Sequence, residues 1–241
     1  MTRHAPAVEL LPIPETGRRY TTARKVRLGD VDAEGMLRLD AIARYLQDVA
    51  TDDADECGLD GRYGWVVRRT MIDVAQPASY REPLELTTFC TGSGRSWAER
   101  RTSITGARGA AIETVALWVQ VDPATGRPAG LASNFHDIYG EAAAGRQVST
   151  RLRLDAPTEG LERRPWMVRR VDLDPFHHVN NAVHWAVLEE LRAGSRVGVA
   201  ETEFLVPVDL ETPMEVAIDG PSAWLVAGPK VHSAFRWTAA P

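Results

Sequence analysis

From Asp40 onward, the apolar residues Ile42, Tyr45, Leu46 and Val49 recur at the i, i+3, i+4, i+7 spacing that gathers them on one helix face, and Gly58 supplies a stop. Four runs rich in β-branched and aromatic residues follow: Trp65 to Ala75, Leu84 to Thr91, Trp97 to Thr105, and Ile112 to Val121. Pro77, Pro83, Gly92, Gly94, Gly106 and Gly109 punctuate these runs, and the turn chemistry of residues 122–126 closes the set. A further strand is expected before the helix, around Arg24 to Leu28. The pattern predicts an α+β unit in which one amphipathic helix covers one face of an antiparallel sheet.

The same order then repeats. After a weakly patterned stretch that holds a candidate short helix, a strand at Trp166 to Val171 precedes a helix through Val183, Ala186, Val187 and Leu191, ending at Gly194. Further β-like runs lie at Ala200 to Val208, Met214 to Ile218, Trp224 to Val226 and Val231 to Trp237. Even the residues at the strand–helix step repeat: Val26-Arg27 then Asp30-Val31-Asp32 reappears, 142 positions on, as Val168-Arg169 then Asp172-Leu173-Asp174. This is the outline of a tandem, or double, hotdog fold, each unit a curved antiparallel sheet around a central helix. The expected divisions are an N-terminal arm at 1–20, a first unit at 21–130, a linker at 131–164 and a second unit at 165–241. A single hotdog unit usually dimerises, so the tandem is expected to act as a pseudo-dimeric monomer, with a homodimer of it as the alternative.

The copies differ in chemistry. Residues 172–181 hold two carboxylates, two imidazoles and two carboxamides, whereas Met36, Arg38 and Leu39 stand where His178, Asn180 and Asn181 stand. The second unit is therefore the expected home of the site. His178 is the candidate general base, because imidazole is the side chain whose ordinary pKa lets it take and return a proton near neutrality. Asp174 would hold its tautomer or accept from a water directly. Asn180 or Asn181 would cap the following helix, whose first N–H groups would then face a developing oxyanion. His177 reads as a structural neighbour, His184 as a packed or solvated helix residue, and Trp65, Trp97 and Trp118 as possible walls of a ligand pocket.

Other chemistries lack their motifs. The serine-hydrolase elbow and the phosphate-binding glycine loop are both absent. Two cysteines, Cys57 and Cys90, have no spacing that suits zinc, and both are expected reduced and packed. Adjacent His177 and His178 diverge from the face shared by Asp172 and Asp174, so neither a metal nor another cofactor is expected. A net charge of −5 argues against a nucleic-acid surface. No apolar run long enough to span a membrane and no apolar leader is found, which gives a cytoplasmic expectation.

With these residues in place, the chain resembles the acyl-acyl-carrier-protein thioesterases of plants and bacteria. Asp172-Leu173-Asp174 and His178-Val179-Asn180-Asn181 look like that family's C-terminal signature, and Leu46-Gln47-Asp48, residues 65–69 and Leu117-Trp118-Val119 look like its N-terminal half. The resemblance implies a tandem hotdog enzyme that hydrolyses the thioester between a fatty acyl chain and a carrier protein's phosphopantetheine arm, or coenzyme A, without a metal. It carries over to Asp174, His178 and Asn180 as catalytic residues, with Asn181 and Phe176 as candidate substrate contacts and the first unit as the acyl-binding half. Two positions depart from the family pattern: Phe176 stands where it has an asparagine and Pro207 where it has an acidic residue, with Asp209 and Glu211 nearby but out of register. A non-catalytic acyl-binding protein is the alternative these departures keep open, followed by a hotdog β-hydroxyacyl dehydratase or hydratase. The basic residues Arg163, Arg164, Arg169 and Arg170 are the expected docking surface for an acidic carrier protein.

Overall fold

The computed structural model describes residues 8–59, 61–62, 64–192 and 195–240. Its first half runs β1 (Arg19–Lys25), a 3-10 turn at Leu28–Asp30, α1 (Leu39–Glu56), β2 (Gly64–Gln76), β3 (Pro83–Ser93), β4 (Trp97–Gly106) and β5 (Ala111–Val121). A connecting helix, α2 (Phe135–Ala143), leads to β6 (Glu162–Trp166), a second 3-10 turn at Arg170–Asp172, α3 (Asn181–His184), α4 (Ala186–Leu191), β7 (Val197–Phe204), β8 (Met214–Asp219), β9 (Ser222–Ala227) and β10 (Lys230–Ala239).

All strands join one ten-stranded sheet in the order β1-β3-β4-β5-β2-β7-β10-β9-β8-β6. Each half contributes the same internal order, and the halves meet where β2 pairs antiparallel with β7, Arg69 opposite Glu203 and Asp73 opposite Val199. The predicted periodicity explains the burial. Ile42, Tyr45, Leu46 and Val49 all lie buried beneath α1, in one apolar cluster with Ile72, Leu86 and Ile104 of the first half and Trp185, Leu188 and Phe235 of the second. Gly58 ends α1 at a positive φ of 65°, where a side chain would be strained.

Two expectations shift. The strands expected at Arg24 to Leu28 and Trp166 to Val171 instead form earlier, as β1 and β6. Both are edge strands with charged, half-exposed sequences, as edges require, so an apolar signal is missing from them. The apolar residues that suggested a strand, Val26 and Val168, belong instead to the approach to each 3-10 turn. The second helix also breaks in two around Trp185, whose N–H donates to Ala182 O at 3.2 Å in the tighter i to i−3 pattern. Gly194, its expected end, lies outside the described residues.

Between α2 and β6 the chain is strapped to the sheet across both halves. Trp97 Nε1 donates to Val148 O at 2.8 Å, Arg69 to Arg151 O at 3.0 Å, the Arg153 and Leu154 N–H groups to Glu203, and Trp224 Nε1 to Asp155 O at 2.8 Å. Trp97 is thus engaged by the strap and is not among the residues lining the cavities described below.

Candidate active site

The polar segment is a local fold made twice. Asp172 accepts the Arg169 N–H at 2.7 Å and Asp30 accepts the Arg27 N–H at 2.9 Å, so each closes its 3-10 turn. Two residues on, Asp174 Oδ1 accepts the N–H groups of Phe176 (2.9 Å) and His178 (3.4 Å), as Asp32 Oδ1 accepts those of Glu34 (3.1 Å) and Met36 (2.8 Å). His177 takes φ 64°, the conformation that Gly35 takes at φ 78° in the first copy. Asp172 and Asp174 are therefore turn-builders, and no described hydrogen bond joins Asp174 to the His178 imidazole.

The imidazole faces a different carboxylate. His178 pairs with Asp209 across an isolated antiparallel bridge, with His178 Nε2 3.6 Å from Asp209 Oδ1 and both side chains open to solvent. Directly opposed residues of a bridge send their side chains to one side, and residues two apart on an extended segment share a side. His178, Asn180 and Asp209 thus form one row. Asp209, out of register with the family pattern in sequence, is thus brought beside His178 in space by the pairing of Val179 N–H with Val208 O at 2.8 Å.

Asn180 is the N-cap of α3, its Oδ1 accepting the Ala182 N–H at 2.8 Å. A second donor reaches the same oxygen from the first half: Gln47 Nε2 of α1, at 3.0 Å. Phe176 is 64% exposed and is not among the residues lining the groove or the two cavities described below. Asn181 lines a small one. His184 is buried, hydrogen-bonded through Nδ1 to Ser233 Oγ and edge-on to Phe204, and burial next to His232 pushes its pKa down to about 4.

Three spaces are linked by shared lining residues. An open groove of about 1100 Å³ runs between the halves past Asn180, Gln47, Ala182, Arg27 and Lys25. Gln47 and Ala182 also line a cavity of about 20 Å³ with Asn181, Trp185 and Trp118. Trp118 in turn borders a mostly apolar cavity of about 270 Å³ between α1 and the first half of the sheet, with Ala50, Ala54, Trp65 and Phe135. At its wall the partly buried Arg100 is paired with the buried Asp53 through Oδ2 at 2.6 Å, and Tyr139 Oη donates to the same oxygen at 2.9 Å. The wall's charges are satisfied within the protein, which leaves an apolar pocket.

The mate of this site borders a cavity of about 240 Å³ lined by Asp32, Met36, Leu39, Glu189 and Arg192, but its polar groups are tied to one another. At the N-terminus of α1, Glu189 Oε1 accepts the Leu39 N–H at 2.6 Å, and Arg192 bridges Glu189 to Asp32, both contacts at 2.6 Å. Burial raises the Glu189 pKa. Glu189 occupies the position equivalent to Gln47, and Arg38, tied to Asp40, that of Asn180.

Cys57 and Cys90 are both free. Arg163 and Arg164, on the edge strand β6, are paired with Glu215 and Glu162, which reduces them as a docking patch. Among the described residues no three His, Cys, Asp or Glu side chains gather as metal ligands, and no helix is long and apolar enough to cross a membrane.

Comparison with known proteins agrees with the architecture. The family model for the acyl-ACP thioesterase N-terminal domain matches residues 17–139, and that for the C-terminal domain matches residues 156–219. Uncharacterized proteins from two strains of Mycobacterium tuberculosis are each 31% identical over 183 residues, 76% of this chain and 73% of theirs. Among solved structures, a 12:0-ACP thioesterase from Umbellularia californica superposes with a TM-score of 0.76 at 15% identity, covering 97% of this chain and 100% of that one. An acyl-ACP thioesterase from Bacteroides thetaiotaomicron does so with a TM-score of 0.75 at 14% identity, covering 92% and 98%.

Proposed function

The chain belongs to the acyl-ACP thioesterase family, a family of thiolester hydrolases with the double hotdog fold, and from that premise we propose that it hydrolyses fatty acyl thioesters carried on the phosphopantetheine arm of an acyl carrier protein. The observation that carries this reading is a series of neighbouring spaces: an open groove lined by Asn180, a small cavity that shares Gln47 and Ala182 with it, and an apolar cavity that shares Trp118 with the small one. The groove suits the polar arm, the cavity suits the acyl chain, and the thioester would lie between them beside Asn180. His178 would act as general base on a water, with Asp209 rather than Asp174 as its carboxylate. Asp174 would serve by shaping the turn that presents the imidazole.

Stabilisation of the oxyanion falls to Asn180 in this reading. The helix α3 has only four residues, so its dipole is small, and its Ala182 N–H is already held by Asn180. Asn181, which lines the small cavity, and the Trp118 ring would contact the first part of the acyl chain. Lys25 and Arg27, exposed at the groove, are better placed than Arg163 and Arg164 to meet the arm's phosphate.

The test is thiol release from a panel of acyl thioesters, offered on a carrier protein, on coenzyme A and on a small thiol. Turnover with the carrier-protein substrate preferred is the expected result. Binding of the acyl chain without thiol release would support the non-catalytic alternative.

A further inference from the structure

We propose that Gln47, from the first half of the chain, is a positioning residue of the site in the second half, fixing which end of the Asn180 carboxamide faces the substrate. The inference rests on the thioesterase reading above and adds a residue to it. Its basis is hydrogen-bond accounting. The Ala182 N–H can only donate, so the Asn180 atom 2.8 Å from it must be the oxygen. An oxygen there can only accept, so Gln47, 3.0 Å away, must turn its NH2 toward it. Both carboxamides are thereby oriented, although neither is told apart by shape alone.

What this leaves free is a donor and an acceptor side by side. Among the described residues, the Asn180 Nδ2 group donates to no partner and Gln47 Oε1 accepts from none. Gln47 lines both the open groove and the small cavity behind it, so the pair stands where the thioester would pass. In this arrangement Asn180 Nδ2 donates to the thioester carbonyl oxygen as negative charge develops there, and Gln47 holds it in that orientation while its own Oε1 remains open to a water. The family's asparagine is replaced here by the exposed Phe176, and the Gln47–Asn180 pair supplies the carboxamide donor from elsewhere. The mate differs at this point, because Glu189, the counterpart of Gln47, accepts the Leu39 N–H instead of orienting a carboxamide.

Gln47→Glu is the discriminating variant. An ionised carboxylate cannot donate to Asn180 Oδ1, so two acceptors would face each other, and Asn180 would turn its Nδ2 inward. The expected result near neutral pH is a loss of 10-fold or more in kcat with little change in KM. The deficit relative to wild type at the same pH is expected to narrow as the pH falls toward the ordinary range of a glutamic acid, where a protonated carboxyl can donate again, the loss of the imidazole base being common to both proteins. Gln47→Met should lose kcat at every pH, and combined with Asn180→Ala it should cost no more than Asn180→Ala alone, since the two act as one unit. Asn180→Asp keeps the cap and the bond from Gln47 while exchanging the Nδ2 donor for a charged acceptor oxygen, so it guards against a folding artefact and should also lower kcat. Wild-type kcat in Gln47→Met, a loss confined to KM, or additive losses in the double variant would each overturn the proposal. Absence of turnover in the wild type on every thioester would overturn the thioesterase reading and this one with it, a distinct outcome.

Discussion

His178 and Asp209 meet because two turns, 31 residues apart in sequence, are paired by one bridge. The imidazole, the turn aspartates and Asn180 were all legible in the sequence, since they lie together in ten residues. Asp209 was not, because its place depends on the register of Val179 against Val208, which no local pattern reports. The role of Gln47 was hidden for the same reason, its partner being on the other half of the chain. If His178 is the general base, His178→Ala should lower kcat by about 100-fold or more without unfolding the protein, as loss of a positioned base does. Unchanged turnover in a folded variant would leave His178 a turn residue. Phe176 offers a second test at this scale. Its ring is 64% exposed, so Phe176→Asn opens no core cavity and should leave the melting temperature within a degree or two. A rise in kcat would then report a carboxamide regained at the family's position, whereas a fall with rising KM would make the phenyl ring a substrate contact.

Helices and strands were legible wherever one face is buried, as in α1 and β2 to β5, and shifted where it is not. The edge strands β1 and β6 carry charged sequences, alternating in β1 and mostly exposed in β6, whose pairing comes from the sheet rather than from burial. Nor did periodicity reveal the break around Trp185, because its apolar residues continue through it. At this scale α1 is the element to probe, since successive turns carry Gln47, Ala50 and Ala54 along the proposed acyl path. Ala54→Phe fills the apolar cavity away from the groove and should shift preference toward shorter chains, by about fourfold per methylene excluded. Equal kcat/KM ratios across chain length in wild type and variant would take the acyl chain out of this cavity. The start of the second helix carries a pH signature through His184. A histidine buried neutral binds its proton only near pH 4, while the unfolded chain binds it near 6.5, so the unfolded state holds more protons between these values. Stability is therefore complete above the upper value and lost as pH falls toward about 4, by on the order of 3 kcal/mol. Denaturant unfolding at pH 7, 5.5 and 4.5 should show this decline, and His184→Asn, which keeps a hydrogen-bonding group toward Ser233, should flatten it. Parallel declines in both proteins would assign the acid sensitivity to other groups.

On the scale of the whole molecule, duplication makes one sheet of two halves and also makes the site composite. The repeated order of strands was legible from the repeated pattern, and so was the loss of chemistry from the first copy, since Met36 and Arg38 replace a histidine and an asparagine. Sequence could not say how the two halves would depend on each other. The structure gives that dependence three forms: the β2–β7 pairing, the strap from Trp97 to Trp224, and the reach of Gln47 to Asn180. A fragment of residues 146–241 would keep His178, Asn180 and Asp209 but would expose the β7 edge and the apolar residues packed against α1. It should self-pair or aggregate, and any soluble fraction should lack turnover, because Asn180 would have no partner from α1 to hold it. Coexpression of residues 1–145 should restore both solubility and activity if the halves can still pair along β2 and β7. A soluble, monomeric and fully active C-terminal fragment would show that the first half is dispensable to the chemistry. Rescue of solubility without activity would instead separate the sheet from the site, and would place the broken link in the strap, whose backbone is cut at 145 in such a pair.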